Sequence, residues 1–379
     1  MNPKPKRVLL ITGHYFDSKR KAGFHWLAEA YWRAGWEVIF VTTAISWMSW
    51  LQRNYRMAYP IFREAHRLRW MRERLGSYIW LTPWHPVDLG HPWLNRLGHG
   101  LFARYGQFSL GTLAPLAREA DVFIFESKPG LMLFDRLQQL NPHARWIYRV
   151  SDDLRLLRTH RVVLDTESRI APHFDLISVP NAVLLQRFEH LPQAALHPHG
   201  ICKSRFNQED PCPYTDAWET HLVFVGTAYL DRDFIERASA HFSTWAFHLI
   251  GPLAGTPRRA NVFAYGEMSF DATIPYLKHA DIGLHTLICK PGSASFADSL
   301  KVIQYTYCRL PIVAPEPMRS TRVNTFYYQP GDAVSMVQAL EAARAFDRAK
   351  VETEGMHSWA WLARVLVEGT DWQTKQSRE

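Results

Sequence analysis

Ala297-Asp298-Ser299-Leu300-Lys301-Val302-Ile303-Gln304-Tyr305 has the composition of the opening turns of a helix, with Asp298 or Ser299 as its N-cap. Leu300, Ile303 and Tyr307 recur at helical spacing, which predicts one inward face. A strand-like segment, Ala280-Asp281-Ile282-Gly283-Leu284-His285, comes before it, and the loop Cys289-Lys290-Pro291-Gly292-Ser293 lies between. A helix that starts behind a Gly/Ser loop at the carboxyl end of a parallel strand is a ready anion site. Its free N–H groups and positive dipole end both favour phosphate. Lys301, one turn in, adds a full charge to the same anion. The competing reading is an ordinary amphipathic helix with a solvated lysine.

Outward from this helix the chain alternates strand and helix signals. Leu222-Val223-Phe224-Val225-Gly226, Phe247-His248-Leu249-Ile250-Gly251, Val262-Phe263-Ala264-Tyr265-Gly266 and Ile312-Val313-Ala314 complete the C-terminal set of strands. The N-terminal half repeats the rhythm. Val8-Leu9-Leu10-Ile11-Thr12 ends at Gly13-His14, and a helix is predicted over residues 24–34, with Leu27, Ala30, Tyr31 and Ala34 on one face and Gly35 as its stop. Val38-Ile39-Phe40-Val41-Thr42, Asp121-Val122-Phe123-Ile124-Phe125, Trp146-Ile147-Tyr148-Arg149-Val150 and Leu176-Ile177-Ser178-Val179 follow, with a helix over residues 131–140. Near-continuous apolar strands separated by helices predict parallel sheets covered on both faces. The fold class is α/β, with two Rossmann-like domains facing across a cleft. The expected domains are residues 1–200 and 221–379, the last helix able to cross back, with residues 201–220 as a polar linker carrying Pro211 and Pro213. Residues 374–379 are expected to fray.

Composition narrows the function. At 379 residues the chain exceeds one ordinary core, and 47% hydrophobic with 21% charged residues predicts a soluble globule. No segment reaches the roughly 20 apolar residues that span a bilayer, and the start lacks an export signal's apolar run. Cys202, Cys212, Cys289 and Cys308 show neither metal-ligand spacing nor a disulfide framework, which suits a reducing cytosol. A net charge of +8 calls for an acidic partner: nucleic acid, anionic lipid or a phosphorylated substrate. The absence of G-x-G-x-x-G after the first strand and of a Walker loop argues against a dinucleotide dehydrogenase or an ATPase. No histidine pair has zinc-site spacing with a third ligand. Asp231-Arg232-Asp233 has the look of a two-carboxylate metal clamp, but its place after a strand and loop favours helix capping.

Residues 45–104 break the rhythm with Trp47, Trp50, Trp70, Trp80, Trp84 and Trp93 among many Arg and His. Pro60 is expected to open a helix with Ile61, Phe62, Ala65, Leu68 and Leu75 on one face and Arg63, Arg67 and Arg74 on the other. That pattern suits a peripheral contact with anionic headgroups; the alternative is a helix packed on its own sheet. Asp152, in Arg149-Val150-Ser151-Asp152-Asp153-Leu154, stands at the carboxyl end of a central strand, where open α/β sheets bind ligands. A carboxylate there can take a proton from an attacking hydroxyl, or it can cap a helix.

Five runs together resemble the GumK family: Asp121-Val122-Phe123-Ile124-Phe125-Glu126-Ser127, Asn141-Pro142-His143-Ala144, Tyr148-Arg149-Val150-Ser151-Asp152, Tyr265-Gly266-Glu267-Met268 and the 297–305 stretch. That family comprises inverting glucuronosyltransferases of xanthan-type exopolysaccharide assembly, with the two-Rossmann GT-B fold. The likeness runs from Val8 to about Pro330 and is weakest in the Trp-rich insertion. Ser18-Lys19-Arg20-Lys21-Ala22-Gly23-Phe24-His25 is similar to a basic acceptor-side loop, and His199-Gly200-Ile201 to a turn common in GT-B enzymes.

The resemblance implies a transferase that moves glucuronate from UDP-glucuronate to a polyprenyl-diphosphate-linked oligosaccharide. It would sit peripherally on an anionic surface at the inner face of the cytoplasmic membrane. Asp152 matches the catalytic base. Lys301 and Gln304, with Ser299 and Leu300 at the helix start and Glu267 and Met268 nearby, are the donor-binding set. His14, Lys19, Arg20, His25 and Arg149 are the acceptor-side set. No metal or cofactor is implied, since the UDP-sugar is a co-substrate, and no nucleic acid. Three departures bear on the donor sugar: Asp153 stands where the family has Gly, and Ala228 and Leu287 replace Met and Tyr. The alternatives are another UDP-sugar such as UDP-glucose, a non-catalytic nucleotide-sugar or polyanion binder, and, on charge alone, a nucleic-acid binder.

Overall fold

A computed structural model describes residues 4–52, 54–227 and 229–369; Ala228 and the end expected to fray, residues 374–379, lie outside them. The described chain divides into two compact units, one of residues 4–18, 22–198 and 359–369, the other of residues 19–21 and 199–358.

The first unit holds eight strands: β1 (Arg7–Thr12), β2 (Glu37–Ser46), β3 (Leu68–Arg72), β4 (Leu75–Thr82), β5 (Val122–Glu126), β6 (Arg145–Arg149), β7 (Leu176–Val179) and β8 (Ala194–Leu196). They lie in the order β3-β4-β2-β1-β5-β6-β7-β8. Every adjacent pair is parallel except β3–β4. The central strands are buried along their length, β1 at all six positions, as expected of a parallel sheet covered on both faces. The helix Trp359–Glu368 also belongs to this unit, where Tyr31 donates its hydroxyl hydrogen to the Ala363 carbonyl at 2.8 Å.

The second unit holds β9 (Thr220–Val225), β10 (Trp245–Ile250), β11 (Val262–Gly266), β12 (Ile282–Leu284), β13 (Ile312–Pro315) and β14 (Thr325–Tyr328). Their order is β11-β10-β9-β12-β13-β14, parallel throughout. Residues 201–220 are not a free linker. Ile201 and Phe206 are buried with Val223, Ile250, Val302 and Ile303, and Asp210 is clamped by Arg205 and Lys278 at 2.9 Å each.

The Trp-rich insertion departs from expectation. The helix opened by Pro60 lasts only for Ile61–Glu64, and the chain then forms the hairpin β3–β4, turning at Glu73-Arg74 with Arg74 at φ 62°. Leu75-Gly76-Ser77-Tyr78-Ile79-Trp80 is buried at every position because β4 pairs in parallel with β2 and extends the sheet. The 3.6-residue spacing of Ile61, Leu68 and Leu75 is therefore spread over three elements, and Arg63, Arg67 and Arg74 share no helix face.

In the helix Leu300–Tyr307 the inward face is Val302, Ile303, Tyr305 and Thr306, whereas Tyr307 is half-exposed and bonds Asn207 at 2.8 Å. The face is turned from the expected one because the Tyr305 ring seats on Gly283, where a Cβ would lie 2.7 Å from the ring. The Tyr305 hydroxyl accepts the Val225 N–H at 3.1 Å and shares its own hydrogen between the Val223 and Leu284 carbonyls, each 3.3 Å away. Strands β9 and β12 pair only as far as Val223 and Gly283; the hydroxyl serves the groups left free where they part. Tyr305→Phe strands a buried N–H and should cost about 1–3 kcal/mol. Gly283→Ala forces the ring off its seat at a similar cost, ~1–3 kcal/mol. Urea unfolding measures both, and a wild-type midpoint in either variant would show that the contact does not hold the helix in place.

Candidate functional site

In the second unit three neighbouring strands end in glycine. Gly226 donates its N–H to the Ile250 carbonyl at 3.0 Å, and Gly251 donates to Gly266 at 2.7 Å. Gly251 has φ 140°, and a Cβ there would overlap the Gly226 oxygen at 1.8 Å, so only glycine fits. The result is a floor of bare backbone at the carboxyl edge of the sheet. Lys301 lies on that floor: a Cβ on Gly226 would come within 3.4 Å of its Nζ, which rests 4.1 Å from the centre of the Phe224 ring. Burial pushes the Lys301 pKa down to about 7. No carboxylate pairs with its ammonium among the described residues.

The start of the helix is equally unfinished. Its first intrahelical bond runs from the Ile303 N–H to the Ser299 carbonyl, leaving the N–H groups of Leu300, Lys301 and Val302 ahead of it. Ser299 occupies the N-cap position but its side chain makes no cap bond, and Asp298 turns instead to Arg322 at 2.6 Å. Among the described residues the buried Ser299 Oγ, His285 Nδ1 and Thr286 Oγ1 lack a hydrogen-bond partner. Gln304 is half-buried one turn into the helix. Met268 packs into the core beside Ile201 and Val302. Glu267 accepts two hydrogen bonds from Arg20, whose tripeptide, residues 19–21, groups with the second unit. A half-buried lysine beside the free N–H groups of a helix start can hold a diphosphate and take up negative charge as it leaves.

In the first unit the carboxyl ends of β1, β5 and β6 gather a charged cluster. Buried Glu126 accepts from the Thr12 hydroxyl, from the Gly13 N–H at 3.1 Å and from His14 Nε2 at 3.1 Å. Burial alone would raise its pKa, but His14, Lys128 and Thr12 outweigh that and hold it below the carboxylate range. Lys128 bonds Asp152 at 3.0 Å, and the Ser127 hydroxyl holds the Ser151 and Asp152 N–H groups at 3.1 and 3.0 Å. Burial opposes the charge on Lys128, yet the Asp152 and Glu126 carboxylates win and raise its pKa. Asp152 keeps 35% of its side chain exposed, while Asp153 is buried against Arg155 and Arg187. Neighbouring aspartates on an extended chain have diverged, and the exposed one can take a proton from a bound hydroxyl.

The acceptor-side expectation holds together only in part. His14 lies in this cluster, and Lys19 is exposed. His25 does not face solvent: it is buried at the start of the helix Gly23–Arg33, where Nδ1 accepts the Ala22 N–H at 3.1 Å and Nε2 bonds the Tyr15 carbonyl at 3.0 Å. Arg149 is buried too, donating to Ser178 Oγ and the His197 carbonyl at 2.7 Å each, because strand alternation turns it toward β7. Burial lowers its pKa to about 9. Sequence reasoning missed Lys128, Glu126, His285 and Arg56, whose guanidinium binds the Gly13, Thr43 and Ala44 carbonyls. The glycine closing each of three successive strands was the signal for the floor beneath Lys301. Asp231 caps the helix Arg232–His241, accepting the Phe234 N–H at 3.1 Å.

Residues 10–180 match the family described as glucuronosyltransferase GumK, N-terminal domain. Over 345 residues the chain is 29% identical to the UDP-glucuronate:glycolipid 2-beta-glucuronosyltransferase of Xanthomonas campestris pv. campestris, covering 89% of this chain and 84% of that one. In its N-terminal half and, at 29% identity, along most of its length, the chain resembles the GumK glucuronosyltransferases. Solved structures agree on the fold. Anabaena HepE superposes with TM-score 0.60 at 12% identity, over 99% of this chain and 100% of its own. WaaG, a glycosyltransferase involved in lipopolysaccharide biosynthesis, gives 0.58 at 13%, over 96% and 100%.

A folded pKa of about 7 against 10.5 for an ordinary lysine means that the unfolded chain binds more protons between those values. The contribution of Lys301 to stability therefore rises with pH through that window. Lys301→Met should stabilise the protein at neutral pH by about 1–3 kcal/mol, the scale of a relieved buried polar group. It should also flatten the rise toward alkaline pH in chemical-denaturation curves. A destabilised variant would show that the ammonium is satisfied by the fold.

Proposed function

We propose that the protein is an inverting, metal-independent transferase that moves glucuronate from UDP-glucuronate to a lipid-linked oligosaccharide in exopolysaccharide synthesis. The observation that carries this reading is the half-buried Lys301 on a glycine floor, without a carboxylate partner among the described residues, at the head of a helix with free N–H groups. The likeness to a UDP-glucuronate-dependent relative supplies the sugar.

In one displacement the acceptor oxygen bonds to the anomeric carbon as the bond to UDP breaks. The hydroxyl proton passes to Asp152, and the charge on departing UDP is taken by Lys301 and the helix dipole. Lys128 holds Asp152 in place through a 3.0 Å ion pair until the proton arrives. Ser299 and Leu300 offer the helix start to the diphosphate, and Gln304, Glu267 and Met268 complete the donor side. His14 and the exposed Lys19 serve the acceptor. Asp152→Asn should lower transfer at least about 100-fold while UDP affinity stays near normal; Asp153→Asn, which loses its Arg partners, should show itself in stability before turnover. Lys301→Ala should cost roughly two or more orders of magnitude in turnover, with only part restored by Arg. Label transfer from UDP-glucuronate to membrane lipid extracts reads all four. Full activity in Asp152→Asn would shift the base to His14, already bonded to Glu126.

The acceptor is a lipid, and the insertion supports attachment to an anionic membrane at its cytoplasmic face. Among the described residues no helix is long and apolar enough to cross a membrane. The helix Pro92–Ala103 instead exposes Trp93, Leu97 and Leu101, spaced four apart on one face, with Arg96 and Arg104 exposed beside them. Trp47, Trp50 and Leu51 form a second exposed apolar group, Trp47 stacked on Phe62. Such surfaces lie in the headgroup boundary. Trp93→Glu with Leu97→Glu should abolish sedimentation with phosphatidylglycerol vesicles and leave UDP affinity untouched; unchanged sedimentation would remove this helix from the membrane contact.

A further inference from the structure

His285 extends β12 by one residue, donating its own N–H to the Val313 carbonyl at 2.9 Å. It lies two positions beyond Gly283 on an extended chain and so shares the face on which Tyr305 is seated. Lys301 precedes Tyr305 by one helical turn on the same helix face, which brings it over the same end of the strand. The Lys301 charge adds to burial in pushing the His285 pKa well below its ordinary value, and no bond joins the two side chains among the described residues.

The imidazole is 1% exposed, and its Nε2 lies 3.0 Å from the Phe296 carbonyl. A carbonyl only accepts, so Nε2 carries the hydrogen. In the neutral ring Nδ1 is then a bare lone pair. It is buried without a partner among the described residues, a deficit that calls for an explanation. Thr286, next along an extended chain, points to the other side and is not counted with it. A phosphate or carboxylate oxygen cannot satisfy Nδ1, since both sides would be acceptors. A hydroxyl can, and it can at once turn its own lone pair to Lys301.

We propose that His285 Nδ1 accepts a hydrogen bond from a hydroxyl of the bound nucleotide sugar, making His285 a specificity residue of the donor site. The proposal rests on the donor-site reading of Lys301. It adds a requirement that the diphosphate does not impose: the ligand must present a hydroxyl beside the charge. The hydroxyl belongs either to the ribose or to the transferred sugar.

Gln places its amide nitrogen where Nε2 stands, so His285→Gln keeps the donor to Phe296 and deletes the Nδ1 acceptor. Asn places its oxygen where Nδ1 stands, so His285→Asn keeps the acceptor and loses the tie to Phe296. UDP and UDP-glucuronate affinities are measured by calorimetry for wild type and both variants, with thermal midpoints alongside. The expected result is a loss of about tenfold in His285→Gln, the scale of one hydrogen bond left unmade, at an unchanged midpoint. His285→Asn should bind more tightly than His285→Gln despite a lower midpoint. A loss for UDP-glucuronate alone assigns the hydroxyl to the transferred sugar; an equal loss for UDP assigns it to the ribose. Wild-type affinity in His285→Gln for both ligands overturns the proposal and leaves the donor site standing. A wild-type protein that binds neither ligand overturns the donor site and the proposal with it.

Discussion

The hydroxyl of Tyr305 is the contact on which the donor side depends. Where β9 and β12 stop pairing, a backbone N–H and a carbonyl would be left buried and unpaired, at a cost of about 1–3 kcal/mol each. Tyr305 takes up both from above. Because its ring can descend only over Gly283, the hydroxyl fixes the height and rotation of the helix Leu300–Tyr307. That rotation carries Lys301 to the gap between strand ends. A tyrosine and a glycine 22 residues apart thus decide where a charge sits.

The two units treat their buried charges in opposite ways. In the first, Glu126, Lys128 and Asp152 form a chain of alternating sign, and Arg56 and Arg149 are spent on backbone carbonyls. These groups satisfy one another, so the proton acceptor is already oriented. In the second, half-buried Lys301 has no carboxylate partner, and the buried Ser299 Oγ and His285 Nδ1 have no hydrogen-bond partner, among the described residues. Leaving a half-buried cation without a partner costs stability. On the proposed reading an arriving diphosphate would remove that cost, and part of the binding energy would come from relieving the unliganded state.

The sequence revealed the architecture because the strands are fully buried and therefore nearly continuous in apolar residues, a pattern that survives without tertiary context. The insertion was misread because period 3.6 in Ile61, Leu68 and Leu75 was coincidental. Pairing of β4 with β2, a long-range contact that no local window contains, overrode helix propensity. The strand-end place of Asp152 and the helix-start place of Lys301 were legible. His25 and Arg149 were not, since whether a polar side chain faces ligand or carbonyl depends on strand alternation and on neighbours distant in sequence. Lys128 and His285 gave no signal at all: each acquires its meaning from a partner, or the lack of one, that only the folded chain brings near.

The central claim is that the head of the helix Leu300–Tyr307 is the diphosphate site. A crystal structure of the protein grown with UDP tests it most directly. The account predicts diphosphate oxygens within about 3.2 Å of Lys301 Nζ and of the first free N–H groups of that helix, the range of a charge-assisted hydrogen bond. A diphosphate bound elsewhere, with Lys301 still buried against Phe224 and its neighbours unpartnered, would contradict it.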